Sequence, residues 1–384
     1  MTKKEVVLKA IEGRLTWIQA ADILGITARH MHRIKTAYEE YGFDALRDHR
    51  GGKPRRKRIP LATVEKLLEL RKRTYGDFSV RHFWEQATER HGLKLSYTWT
   101  LLTLQAAGLA EKAPARGRYR RRRERRPMRG MMLHLDASTH AWLGRQQPMA
   151  DLVVMLDDAD GRILFARFFA QEGTASTFAA LAHVLQRFGR FAELYTDRGS
   201  HFCRTSRAAE GPDETQEGEV SRALRALGIR QILARSPEAR GRSERAFGTI
   251  QGRLPQELRI AGVSDYETAN RYLEQTFIAD FNRRFAVKPA QQESAFVPLA
   301  NLDLRLLLSS QHSRIVSNDN TVSFNRVVLQ LPSSRQRVHY VRCPVLVHEF
   351  PDGLLGVSYQ GRLLGTFNQQ GDLIEDSRRR KSAA

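Results

Sequence analysis

The sequence predicts a multidomain α+β protein: helical N-terminal domains, a mixed α/β core and a small C-terminal β-barrel. Three observations carry that expectation. Up to about residue 110, apolar residues recur at helical spacing between capping and glycine stop signals. From 131 onward, runs such as "DLVVML" and "ILFARFF" read as strands around one amphipathic helix. Past 310, short β-rich runs alternate with "NDN", "PSS", "PDG" and "QG" turns. At 384 residues and 41% hydrophobic content, the chain can fill several cores. Its 63 Lys and Arg against 42 Asp and Glu give a formal net charge of +21, which asks for a polyanionic partner. No apolar run approaches the ~18 residues of a membrane span, and "MTKKEVVLKAIEGR" has no signal-peptide core, so no membrane partner and a cytoplasmic location are expected. Cys203 and Cys343 form neither a disulfide framework nor a zinc cluster and read as free thiols.

Residues 1–46 form the first expected domain. Thr16 and Gln19 have capping-box spacing, Gly25 breaks the chain, and Thr27 caps a second helix that runs to about Tyr41. On that helix Met31, Ile34 and Tyr38 pack inward, leaving Arg29, His30, Arg33 and Lys35 outward. An apolar docking face backed by a basic face is what a helix-turn-helix needs to enter a major groove, whereas a generic helical hairpin needs only the first. A second helical block, 61–110, carries Ser79 and Ser96 as N-caps and Tyr97, Thr98, Thr100, Thr103 and Gln105 as polar candidates on its last helix. It suits a second DNA-reading unit and a plain three-helix bundle equally.

The joints are basic. The linker 47–60, "RDHRGGKPRRKRIP", is interrupted by Gly and Pro and resembles minor-groove arms through Lys53, Arg55, Arg56, Lys57 and Arg58. The linker 111–130 holds ten Lys or Arg between 112 and 129, with Arg120, Arg121, Arg122 and Arg123 in one run. Like charges at that density repel one another, and a bound phosphate backbone relieves the repulsion. Double-stranded DNA is therefore the expected partner, and nucleoid association follows from it. At the C-terminus, 310–370 is the expected barrel and 371–384 a disordered basic tail.

The core, 131–300, reads β-β-β-α-β, then a helix near 217–227, a strand "RQILA" and helices near 240–258 and 265–283. "DDADG" is the hairpin turn between the second and third strands. Asp136 ends the first strand in "LHLDAS", and Asp197 ends the fourth in "LYTDRGSHF". Taken alone, Asp197 is ordinary strand-end punctuation. If the first and fourth strands lie side by side, however, the two carboxylates meet at one edge of the sheet, and like charges there call for a cation. "SPEARGRSERAFGTIQGRLP" offers a third acid. Glu244, followed by Phe247 and Ile250 at packing distance, can point back at the sheet, and Glu238 faces solvent.

On "LHLDAS", "TDRGSHF" and "GRSERAFGTIQ", the chain resembles the DDE transposases and retroviral integrases of the RNase H-like superfamily. With the helix-turn-helix front and barrel end, it is most similar to ISNCY-type bacterial insertion-sequence transposases. The resemblance implies an RNase H-like mixed α/β catalytic core in which Asp136, Asp197 and Glu244 are catalytic and bind metal, with two Mg²⁺ ions and Mn²⁺ able to substitute. It also implies transposon-end binding, strand cleavage and strand transfer (DNA integration), and a homo-oligomer on DNA. Glu244 follows Asp197 by 47 positions, a longer gap than in retroviral integrases, and Arg198 stands where those have Asn. Arg198, Arg240, Arg242 and Arg245 are candidate phosphate contacts. Two other functions stay open at this point: a sequence-specific DNA-binding regulator with an inactive core, and an RNase H-type nuclease without strand transfer.

Overall fold

The computed structural model describes residues 3–46, 59–112, 124–144, 147–199, 202, 218–234, 241–299, 302–333 and 337–374. The chain divides into two compact units, one of residues 1–74 with 87–95, the other of 75–86 with 96–384. No helix of the described residues is long and apolar enough to cross a membrane.

The first unit contains α1 (Lys3–Ile11), α2 (Trp17–Leu24), α3 (Ala28–Tyr41) and α4 (Leu61–Arg73), with a 3₁₀ turn at Gly42–Leu46. The expected capping box forms: the Thr16 hydroxyl accepts from the Gln19 amide at 3.2 Å, and the Gln19 side chain accepts from the Thr16 amide at 2.9 Å. Gly25 closes α2 at φ 63°, and Thr27 caps α3 through the His30 amide. Met31, Ile34 and Tyr38 pack inward against Ala20, Ala21 and Trp17. The sequence reading missed α1, whose Val6, Val7 and Ala10 complete this core.

The second unit takes in residues 80–86 of α5 (Val80–Glu89) and the whole of α6 (Tyr97–Ala106). Ser79 and Ser96 cap these helices as expected, accepting from the amides of His82 and Trp99. Thr100, read as a groove-facing residue, is instead buried, its hydroxyl donating to the Ser96 carbonyl one turn back.

The main sheet comprises β1 (Met132–His140), β2 (Ala150–Asp157), β3 (Ile163–Phe169), β4 (Glu193–Thr196) and β5 (Arg230–Leu233), in the order β3-β2-β1-β4-β5. β1–β2 and β2–β3 are antiparallel; β1–β4 and β4–β5 are parallel. The parallel pairs require crossovers, supplied by α7 (Thr174–Phe188) and α8 (Glu219–Ala226). Both faces are covered. Leu133, Leu135, Val153 and Met155 pack on Phe178, Leu181 and Leu185 of α7 and Val220 and Leu224 of α8. Phe188, expected on that same stripe, lies at its end and stays 37% exposed beside Phe296. Leu152, Val154 and Leu156 pack on the other face against α9 (Gly241–Gln251), α10 (Leu254–Ile260) and the long helix α11 (Tyr266–Tyr272), a π turn (Leu273–Phe277) and α12 (Ile278–Phe285).

That long helix seals the β3 edge. The Asn270 amide group pairs with both the N–H and C=O of Phe168, at 2.7 and 3.2 Å. Asn282 does the same for Ile163, at 2.8 and 2.9 Å. In an uninterrupted α-helix, side chains twelve positions apart diverge by about 120°; a π turn absorbs one extra residue and brings them within about 20°. The eleven effective steps rise about 16 Å, the length of five strand residues. An edge that would otherwise offer unpaired backbone is thereby closed.

The tail does not form the closed barrel that the sequence suggested. After α13 (Leu304–Leu307), β6 (Ser310–Ile315), β9 (Pro344–Glu349), β10 (Leu355–Tyr359), β11 (Arg362–Phe367) and β12 (Leu373–Ile374) make a sheet in the order β12-β11-β10-β9-β6, and β7 (Thr321–Phe324) pairs with β8 (Val327–Gln330) in a second, two-stranded sheet. Both sheets share one core around Val322, Leu329, Val347, Val357 and Phe367. Among the described residues no strand joins β12 to β6, so the sheet keeps two edges.

Asn282→Ala leaves a strand N–H and C=O without their partner and is expected to cost about 1–3 kcal/mol, read by urea unfolding. Asn270→Ala should cost a similar amount.

Candidate active site

The parallel pairing of β1 with β4 sets Met132 opposite Glu193, Leu133 opposite Leu194 and His134 opposite Tyr195, an offset of 61 positions. Asp136 and Asp197 are also 61 positions apart. Extended two residues beyond the last of these pairs, past the end of β4 at Thr196, the same register would set Asp197 opposite Asp136. They also share a face. Along β1, Leu133 and Leu135 belong to the α7 side, and so His134, Asp136 and Ser138 face the α9 side, where the Asp136 partner Val154 also packs. The Tyr195 ring lies 5.1 Å from His134 on that face, and Asp197 follows it by two residues.

Each aspartate is oriented by its own chain: Asp136 Oδ1 accepts from the Ala137 amide, and Asp197 Oδ1 from the Gly199 amide, both at 2.9 Å. Both are half-buried. Helix α9 lies on the same face with Phe247 and Ile250 in the core, and its last residue, Gln251, donates to Ser138 Oγ at 2.9 Å. Glu244 lies two turns before Gln251 on the same helical stripe and is exposed. The structure thus pairs the strands that lead to the two aspartates and ties the helix of Glu244 to β1. It does not gather all three carboxylates into one sphere, because among the described residues no three His, Cys, Asp or Glu could hold a single ion. Carboxylates such as Asp136 and Asp197 are hard oxygen donors, the chemistry that suits a divalent ion such as Mg²⁺.

A second acidic group, read from sequence only as a turn, is internal. Asp157, Asp158 and Asp160 are 2%, 1% and 0% exposed. Arg129 Nε and Asp160 Oδ2 are 2.7 Å apart, Asp158 Oδ2 accepts from the Arg126 amide at 2.7 Å, and Asp157 accepts from the amides of Gly130 and Ala159. Asp158 Oδ1 meets His134 Nε2 at 2.7 Å and also pairs with Arg242. Burial alone would raise the Asp158 carboxyl, but the hydrogen bonds from His134, the Arg126 amide and Arg242 hold it well below the usual range. Asp157, which accepts from two backbone amides, is pushed by burial to about 6, and the neighbouring charges of Asp160 and Asp158 add to the shift. The signal in sequence was three acids within four residues, following an arginine run.

The candidate DNA contacts separate accordingly. Arg29, His30 and Arg33 are exposed along one side of α3. Lys35 leaves that face: it pairs with Glu39 at 3.7 Å and lies over the Trp17 ring at 5.7 Å, because it falls on the side of α3 turned toward α2. Arg242 is drawn to the buried Asp158 rather than outward. Arg125, Arg126 and Arg129, within the run read as phosphate-bound, are held by the core. Arg198 and Arg245 are exposed. Lys53, Arg55, Arg56, Lys57, Arg58, Arg120, Arg121, Arg122, Arg123, Arg240, Glu238 and Cys203 lie outside the described residues, and Cys343 is a buried free thiol.

Comparison with known proteins gives a helix-turn-helix domain at residues 2–57. The "Putative transposase y4bF" of Sinorhizobium fredii is 31% identical over 94% of this chain and 79% of its own length. The "Transposase for insertion sequence IS1202" of Streptococcus pneumoniae is 28% identical over 89% of this chain and 80% of its own. Among solved structures, the simian T-cell lymphotropic virus intasome in complex with PP2A regulatory subunit B56 gamma overlaps 78% of this chain and 95% of that one, with TM-score 0.36 and 14% identity. The HTLV-2 integrase catalytic core domain in complex with magnesium overlaps 43% of this chain and 94% of that one, with TM-score 0.31 and 14% identity.

The raised Asp157 carboxyl carries a pH dependence. Its folded pKa lies above the unfolded value, so its contribution to stability is complete below about pH 4 and is lost as pH rises through about 6. Thermal unfolding of wild type and Asp157→Asn from pH 4 to 7.5 should show the difference moving against wild type as pH rises; a constant difference would remove the shift.

Proposed function

Because this chain belongs to the bacterial insertion-sequence transposases, we propose that it binds the ends of its element through α3 and cuts and joins DNA strands at Asp136, Asp197 and Glu244. The observation that carries this reading is the register match, by which the offset of the β1–β4 pairing equals the spacing of the two aspartates. A DNA-binding regulator needs no such coincidence, nor does it need a helix bearing a third acid tied to the same strand.

Asp136 and Asp197 would hold a divalent ion, with Glu244 of α9 as the third ligand. Mg²⁺ bound there, two ions in the full site, would supply the Lewis acidity for activating water or a 3′-hydroxyl and for stabilising the leaving oxygen. The chain's own part is positional. The backbone amides of Ala137 and Gly199 fix the carboxylate orientation. Arg29, His30 and Arg33 face the major groove, and Arg198 and Arg245 lie beside the acids as phosphate contacts. No protein nucleophile is involved, so water attack frees a 3′-hydroxyl that then attacks target DNA at the same site. Two ends must be joined, so the active species is a homo-oligomer assembled on DNA.

Asp197→Asn and Asp136→Asn should keep transposon-end binding, because α3 lies elsewhere in the chain, and lose Mg²⁺-dependent nicking and joining by at least about a hundredfold. Glu244→Gln should behave alike, and Glu238→Gln like wild type. The assay is cleavage of a labelled end at matched DNA occupancy, and wild-type cleavage by Asp197→Asn would return that residue to strand-end punctuation. Removing 113–123, which spares the arginines held by the core, should flatten the salt dependence of DNA binding while sequence preference persists. Every phosphate that the shortened chain no longer neutralises changes the log-log slope by roughly 0.9.

A further inference from the structure

We propose that Asp158 is a positioning residue that ties the strand carrying Asp136 to the helix carrying Glu244, and so holds Glu244 within reach of the aspartate pair. The proposal rests on the reading of those two residues given above. Its own evidence is the geometry of one buried carboxylate. Asp158 Oδ1 meets His134 on β1, two residues before Asp136, and pairs with Arg242 on α9, two residues before Glu244. The Asp158 backbone is locked in turn: its amide donates to the Met132 carbonyl at 3.0 Å, and its carbonyl accepts from Arg242 Nη1 at 3.3 Å and Arg125 Nη1 at 3.0 Å.

Two further observations separate this tether from an incidental ion pair. Arg242 stands in the first turn of α9, where the partial positive charge of a helix N-terminus disfavours a cation. A guanidinium is stable there when an anion compensates it, and the buried Asp158 does so. The far end of α9 is tied to the same strand, through Gln251 and Ser138. Asp136 therefore lies between the two tethered positions on β1, and Glu244 between the two on α9. In the first turn only Ser243 is buried, so apolar packing alone does not hold Glu244.

The test uses the full chain and begins without metal. The amides of Arg245 to Gly248 bond to the carbonyls of the first turn, so fraying of that turn exposes them. Asp158→Asn and Arg242→Gln should each speed their hydrogen exchange by about tenfold or more while the amides of Thr249 to Gln251 keep their protection, and the double variant should exchange no faster than the faster single one. In Mg²⁺-titrated cleavage, both variants should need about tenfold more Mg²⁺ for half-maximal rate and recover most of it at saturation. Should Asp158→Asn fail to fold, Arg242→Gln carries both measurements. Wild-type exchange in α9, or a loss of rate that no Mg²⁺ concentration recovers, overturns the tether. Cleavage by Asp136→Asn and Glu244→Gln is the separate test of the site: wild-type rates there refute the metal reading, while exchange in the metal-free chain still decides whether Asp158 holds the helix.

Discussion

The parallel pairing of β1 with β4 is the constraint on which the rest of this chain depends. A parallel pair cannot be joined by a hairpin, so α7 must cross over, and its apolar face buries one side of the sheet. The opposite side is then free for α9 to α12, which bring the third acid. Had β4 paired antiparallel, its C-terminal end would lie at the start of β1, and Asp197 would fall beside the Asp157–Asp160 turn instead of Asp136.

The two acidic groups show how surroundings decide what a carboxylate does. At the start of β1, Asp158 and Asp160 are buried and met by Arg126, Arg129, Arg242 and His134, so their charge is spent on holding the linker and α9. Further along, at the middle of β1 and just past β4, Asp136 and Asp197 are half-buried, each accepting from a backbone amide. The same distinction qualifies the formal +21. Arg222 and Arg253, like the arginines around Asp158, pair with acids of the fold, so the charge available to DNA is concentrated elsewhere than the total suggests.

Much of this was legible in the sequence because it was local. The Thr16–Gln19 capping box, the Gly25 break and the strand order of the core follow from spacing within a few residues, and the 61-position interval was visible before any pairing was known. What was not legible was long-range. Nothing near Lys35 announces Trp17 as its partner, and nothing near "DDAD" announces that Arg242 closes on it from the far side of the core. Barrel closure is not seen among the described residues for a similar reason: it depends on pairing the first strand with the last, which turn chemistry does not specify.

The π turn between α11 and α12 follows the same logic of register. A helix and a strand have incommensurate repeats, so two asparagines can both reach a strand edge only if the helix phase is corrected between them. One inserted residue corrects it, at the expense of regular hydrogen bonding in the Leu273–Phe277 turn. The correction is tolerable because Leu273 and Phe277 are themselves buried in the core that holds the helix down. Covering β3 in this way leaves β5 as the other outer strand of the main sheet, and β5 lies on the side of Asp197. The backbone groups of Ile163 and Phe168 are thereby satisfied on the side of the sheet away from the acids.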